Sequence, residues 1–229
     1  MTDQRSIKGD ATRRRIVSAA MRSFAANGYG GARIDGIAAE AGVAKGLVLA
    51  HFGSKAGLFV AAYRAAVGAL PRYLDAPPET RSEGFFAVLR YWLERTEHLV
   101  REDWVPYRVS LIGNHGTDLD LKREINRFLT QQDPYGTAAF VAWGVERGEV
   151  RDDIPTDMIV GVIDWLMERF QDAQVTEELD PGLFRRPGGG PSAQAARINQ
   201  FLELLRSAVV RPGPRRERRT GPVNRGTSG

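Results

Sequence analysis

Apolar side chains recur at helical spacing along most of the chain, and no segment alternates apolar and polar as a half-buried strand would. From Thr12, the residues Ile16, Ala20 and Phe24 follow one another every four positions, and Asn27-Gly28 supplies a C-terminal stop. A second stripe, Ile34, Ile37, Ala38 and Ala41, ends at Gly42, and a third runs from about Ala44 to His51. Ser54 can cap a fourth helix that carries Leu58, Val60, Tyr63, Val67 and Leu70 and stops at Pro71. The stretch 75–82 (DAPPETRS) reads as a turn-rich linker to a helix at about 83–101. Further helices are predicted at about 104–113, 118–148, 156–178 and 193–210, with Pro134 kinking or splitting the segment 118–148. Residues 180–191 (DPGLFRRPGGGP) read as a Pro/Gly loop and 211–229 as a disordered tail. The expected fold class is all-α.

Charge divides the chain where the pattern does. Residues 1–15 carry net +3, residues 16–58 net +2, residues 59–210 net −6 and residues 211–229 net +5. Basic ends on an acidic body point to a polyanionic partner for one part only. The 28 arginines against 4 lysines carry less information, because a GC-rich codon bias produces arginine, alanine, glycine and proline together. At 229 residues the chain can form one large domain or two small ones. Having no cysteine, it has no disulfide scaffold, thiolate metal site or thiol nucleophile. No run approaches the ~20 apolar residues that span a bilayer, and the first 20 residues lack the apolar core of a signal peptide. The expectation is a soluble, cytoplasmic protein with no membrane partner.

The segment 34–53 (IDGIAAEAGVAKGLVLAHFG) has the parts of a helix-turn-helix. Such a unit needs a small residue where the second helix crosses the first, a glycine with positive φ at the turn, and an aliphatic residue locking the crossing. Ala38, Gly42 and Val48 fill these roles, with Ile37 as the neighbouring buried contact. Around them, residues 12–59 resemble the DNA-binding domain of the TetR family of transcriptional repressors. The resemblance rests on Ala19-Ala20, Phe24-Ala25, Gly28-Tyr29, Ile37-Ala38, Ala41-Gly42-Val43, Lys45-Gly46, His51-Phe52 and Ser54-Lys55, which fit in order and spacing without a gap. It implies a three-helix DNA-binding domain at 1–58, a helical ligand-binding and dimerisation domain at 59–210, and leaves 211–229 as the basic tail.

Several positions depart from that pattern. Ala32 and Arg33 stand where the family usually opens its second helix with threonine or serine. Ala44 and Leu47 replace Ser and Thr at the start of the recognition helix, and Leu49 and Ala50 replace tyrosines near its end. The DNA-binding residues implied are Arg33, Lys45, Gly46, Leu47, Leu49, Ala50, His51 and Lys55. Lys45 is the main polar base reader, while Leu47, Leu49 and Ala50 touch thymine methyls and sugar edges. Lys55 follows Ser54 at a helix start, where the dipole disfavours a cation, so a phosphate partner is expected for it. Affinity then leans on charge and fit, with a modest specificity ratio.

The acidic middle holds all four tryptophans. Trp92, Trp104, Tyr107, Phe128, Trp143 and Trp165 are the candidates for a small-molecule pocket between helices, and the acidic excess suits either a cationic ligand or plain solvated faces. The two last helices, about 156–178 and 193–210, are expected to pair with their symmetry mates in a homodimer, the second through its stripe Ile198, Phe201, Leu202, Leu205 and Val209. Three scattered histidines, and no HExxH, GxSxG or P-loop pattern, weigh against an enzyme. Asp118 and Asp120 lack a complete calcium-loop spacing, and neither a metal nor a cofactor is assigned. The function expected is a ligand-responsive dimeric repressor of a palindromic double-stranded DNA operator. The rivals are an architectural, nonspecific DNA-binding protein and a helical enzyme or carrier.

Overall fold

Helix α1 spans Thr2–Gly31 and is interrupted at Gly28, whose φ of 68° and ψ of 175° leave the helical region. Asn27-Gly28 therefore does stop the continuous helix, and one further turn follows. The start lies ten residues ahead of Thr12, because residues 2–11 carry no recurring apolar position for periodicity to register. The computed structural model describes residues 2–69, 75–102, 104–133, 135–175 and 191–211. Among them there are eleven helices and no strand. After α1 come α2 (Ile34–Glu40), α3 (Lys45–Phe52) and α4 (Lys55–Gly68). Then follow α5 (Pro78–Glu83), α6 (Phe85–Glu102), α7 (Trp104–His115), α8 (Leu119–Gln132), α9 (Thr137–Glu146), α10 (Thr156–Val175) and α11 (Pro191–Val209).

The linker predicted at 75–82 is instead occupied by α5. Pro78 sits at its first turn, where the missing N–H costs nothing and the fixed φ favours helix. Arg81 braces it, donating from Nε to Ala76 O at 2.9 Å and pairing with Asp75 at 2.7 Å. The segment 118–148 is divided as expected, α8 ending at Gln132 and α9 beginning at Thr137. Pro71, Pro134, the loop 180–190 and the tail beyond Arg211 lie outside the described residues.

Two apolar cores hold these helices. The first joins Ile16, Ala20 and Phe24 of α1, Ile37 and Ala38 of α2, and Val48 of α3 to Leu58, Phe59, Tyr63 and Val67 of α4. It continues into Val109 of α7 and Leu121 and Ile125 of α8, so packing does not break at residue 58. The Phe24 and Phe59 rings meet edge to face at 4.9 Å between centroids. Close approach of α7 to α4 depends on Gly113: a Cβ there would lie 2.5 Å from Tyr63 Cδ2.

The second core is built from α6, α9, α10 and α11, with Phe85, Leu89, Leu93, Val141, Ile163, Phe170, Ile198, Leu202, Leu205 and Val209 buried. This corrects the expectation for α11. Its stripe of Ile198, Leu202, Leu205 and Val209 covers the subunit's own core, with Phe201 partly buried beside it and stacked on Phe170 at 4.1 Å. Periodicity identifies an apolar helix face but not what covers it. The apolar residues left outward are Met158, Trp165 and Leu166 on α10 and Leu204 on α11. Among the described residues no single helix is long and apolar enough to cross a membrane.

Candidate nucleic-acid interface

The turn between α2 and α3 is closed by backbone bonds: Ala41 N to Ile37 O, Gly42 N to Ala39 O and Val43 N to Ala38 O, at 2.9–3.1 Å. Gly42, at φ 64°, takes the left-handed step that a side chain would strain. Ile37, Ala38 and Val48 are buried in the roles their spacing predicts. The rest of α3 faces out. Lys45, Gly46, Leu47, Leu49, Ala50 and His51 are all exposed, and only Phe52 is half-buried. Neither Arg33 nor Ala44, the N-caps of α2 and α3, makes a side-chain cap, and in the first turn of α3 Leu47 N is closed onto Ala44 O at 3.0 Å.

Charged groups surround this apolar ridge. Lys45 Nζ stands 3.0 Å from Asp35 Oδ1 and 3.2 Å from Oδ2, with both side chains more than half exposed. Arg13 lies over the Phe52 ring at 5.3 Å, and the exposed His51 lies near the same ring. Lys55 is placed differently from the sequence expectation. Its ammonium donates to Gly30 O at 3.1 Å and sits 5.0 Å from the Tyr29 ring centroid, so the carbonyl end of α1 supplies a partner within the protein. Ser54 caps α4 as predicted, accepting from Gly57 N at 3.0 Å.

An open cleft of about 780 Å3 separates this unit from α8, with Arg13, His51, Arg64, Asp118, Asp120 and Arg127 among its lining residues. Asp118 caps α8 through Leu121 N at 2.9 Å, and Asp120 pairs with Arg123 at 2.6 Å. Both roles are structural.

The six candidate pocket aromatics are not brought together. Trp92 and Trp143 flank Phe140 in the second core, at 4.6 and 5.6 Å. Phe128 meets Tyr63 edge-on at 6.3 Å in the first core. Tyr107 is buried and donates to Asp172 at 2.8 Å, whereas Trp104 and Trp165 are 47% and 68% exposed.

What does converge, where α4, α7 and α10 meet, is a polar cluster. Tyr63 donates to Asn114 Oδ1 at 2.7 Å, with Tyr135 Oη 3.5 Å away. His115 Nε2 faces Asp172 Oδ2 at 2.7 Å and Glu168 Oε1 at 3.8 Å, and Thr137 donates to Asp164 at 2.8 Å. Burial pushes both phenols up, Tyr135 to about 12. Burial and the neighbouring Asp172 hold the Glu168 carboxyl above its ordinary range, and burial does the same for Asp164 despite the Thr137 bond. His115 and Asp172 are 57 positions apart, so spacing gave no sign of their contact. One signal was legible: Asp164, Glu168 and Asp172 recur every four residues along one line of α10.

Residues 16–62 match the family model for bacterial regulatory proteins of the tetR family. Over 161 residues the chain is 32% identical to HTH-type transcriptional repressor SCO4008 of Streptomyces coelicolor, covering 68% of this chain and 78% of that protein. It is 26% identical over 202 residues to HTH-type transcriptional repressor AcnR of Corynebacterium efficiens, covering 88% and 94% of the two. Among solved structures, a putative tetR family regulator from Shewanella sp. PV-4 shares the fold at TM-score 0.61 and 16% identity, over 88% of this chain and 99% of that one. So does the regulator FadR of Bacillus subtilis in complex with stearoyl-CoA, at TM-score 0.58 and 21% identity, over 85% and 98%.

Proposed function

The chain belongs to the TetR family of transcriptional regulators, and on that premise we propose that it acts in the cytoplasm as a homodimeric repressor, released from a near-palindromic operator by a small molecule. The observation that carries the DNA-facing half is α3: eight residues, apolar in composition, with only Val48 buried. A helix locked from beneath by one side chain and otherwise outward is suited to lie in a major groove. Lys45 is assigned the polar base contact, Leu47, Leu49 and Ala50 the apolar edge contacts, and Arg33, Gly46 and His51 the flanking backbone, while Lys55 holds α4 to the end of α1 through Gly30 O.

The outward Met158, Trp165, Leu166 and Leu204 support pairing of α10 and α11 with their symmetry mates. Pairing sets the spacing of the two α3 helices at about one turn of DNA, ~34 Å. Release then works as a population shift, the effector favouring a spacing that fits DNA less well, transmitted by α4. The stearoyl-CoA complex of the Bacillus subtilis regulator supports a ligand-responsive reading.

Selection of bound sequences from random DNA, repeated with a ligand library, tests this function. A near-palindrome with half-sites about one turn apart, released by some compound, is the expected result. A sequence-blind footprint would favour the architectural rival instead.

A further inference from the structure

The geometry points to a divalent-metal site at the C-terminal end of α7, formed by His115, Glu168 and Asp172, whose occupation is relayed to α4 through Asn114 and Tyr63. Its binding half stands alone; its relay half rests on the repressor reading above.

Glu168 and Asp172 stand one turn apart on α10, and His115, the last residue of α7, faces both. One donor atom from each residue lies within 4.8 Å of the other two. Metal–donor distances of about 2.0–2.2 Å for imidazole and carboxylate would close the trio with small side-chain movements. One nitrogen and two carboxylate oxygens suit Zn2+, Mn2+ or Ni2+ better than Ca2+, which takes oxygen alone. An outer partner of the kind such ligands need is also present: Tyr107 holds the second oxygen of the buried Asp172.

The protons leave the trio incomplete without a cation. Arg169 Nη1 stands 3.2 Å from His115 Nδ1, and a guanidinium can only donate. Nδ1 is therefore the acceptor, and the single ring proton sits on Nε2, directed at Asp172. Glu168 meets the same nitrogen with no proton to receive. A dication between them takes the Nε2 lone pair and neutralises both carboxylates. The ring proton then belongs on Nδ1, facing Arg169, so the exposed Arg169 side chain has to swing away.

The relay follows from chain connectivity. Asn114 precedes His115 at the end of α7 and accepts from the fully buried Tyr63 on α4 at 2.7 Å. Drawing His115 onto a metal shifts the end of α7, and with it the Asn114–Tyr63 bond and the seating of α4, which also packs against α1 and α3.

Calorimetric titration of the metal-stripped full chain with Zn2+ and with Mn2+ tests the site, with circular dichroism confirming that each variant is folded. One ion per subunit is expected. His115→Gln and Glu168→Gln, at partly buried positions, should weaken binding by more than about 100-fold, and Tyr107→Phe by about tenfold. Arg169→Ala should tighten it. No binding by the folded parent chain, or binding indifferent to both ligand substitutions, overturns the site. Tyr63→Phe should keep the ion affinity but abolish any effect of the ion on DNA binding. An equal ion effect in parent and Tyr63→Phe overturns the relay. Failure to bind DNA at all would count against the repressor reading, and the titration would still decide the site.

Discussion

Leu204 and Leu205 are neighbours on α11 but lie on different faces, the first 71% exposed and the second 1%. Their substitution to Asp therefore separates assembly from folding. Leu204→Asp should leave a folded subunit and shift sedimentation from dimer to monomer. Leu205→Asp buries an unpaired carboxylate in the second core and should cost several kcal/mol, on the order of 3–5. Thermal melting and sedimentation check both. A folded monomer from Leu205→Asp, with Leu204→Asp still dimeric, would reverse the assignment of the two faces.

Lys45 and Asp35 form an exposed pair, so their mutual attraction is worth about 1 kcal/mol or less. DNA can displace Asp35 at little cost. Lys45→Ala should weaken operator binding by roughly 1–3 kcal/mol and affect scrambled DNA less. Asp35→Asn should strengthen both, since it removes a negative charge from a face directed at phosphates. Titrations on the two DNAs at fixed salt decide it, and equal losses for Lys45→Ala would make Lys45 a phosphate contact only.

The helix-turn-helix was legible because all its constraints fall within about 20 residues of sequence: a small residue, a left-handed glycine and an aliphatic lock at fixed spacing. Ser54 as a cap was legible for the same reason. What escaped was decided by partners distant in sequence. Lys55 finds its acceptor on Gly30, 25 positions earlier, so the cation disfavoured by its own helix dipole is satisfied by the end of another. The α11 stripe was visible, but its cover lies on α6, whose contact with α11 leaves no periodic trace. The pocket aromatics were chosen by type, and packing disperses them over two cores and the surface. His115, Glu168 and Asp172 meet only because α7 and α10 are brought side by side.

Lys55→Met keeps the stem and removes the ammonium. It should lower stability by about 1 kcal/mol, through loss of a charged hydrogen bond at a partly exposed site. Operator and scrambled DNA should be weakened alike, because α4 loosens against α1, and the salt slope should stay unchanged. A slope reduced by about one per subunit would show that Lys55 also meets a phosphate.

Glu149 ties the N-terminus of α6 in place: Phe85 N donates to Oε2 at 2.6 Å and Arg147 Nε to Oε1 at 2.5 Å. Burial alone would raise its carboxyl, but the Phe85 N–H, Arg147 and Arg206 outweigh that and hold it below the ordinary glutamate range. A depressed folded-state value gives stability that is complete above the unfolded value and lost as pH falls through the folded one. Acid melting curves of the parent chain should therefore steepen below about pH 4. Glu149→Gln should be less stable near neutrality and flatter in that range. Parallel curves would remove Glu149 from the acid response.

Gly113 and Tyr63 set how closely α7 can lie on α4. Alanine at 113 would place Cβ 2.5 Å from Tyr63 Cδ2 and 3.1 Å from Ile125 Cδ1, too close for either to remain. In a helix, Gly→Ala normally stabilises by about 1 kcal/mol, so any net loss measures the clash. The expected net effect of Gly113→Ala is destabilisation by roughly 1–3 kcal/mol, the usual range for overpacking a buried contact. Since Tyr63 is fully buried and Ile125 is 2% exposed, neither ring nor methyl has free space to yield. Combining Gly113→Ala with Tyr63→Leu should relieve most of the clash, making the pair less destabilising than the sum of the singles. Denaturant unfolding of the four proteins gives the coupling. Strict additivity would mean that the Tyr63 ring does not fix the distance between α4 and α7.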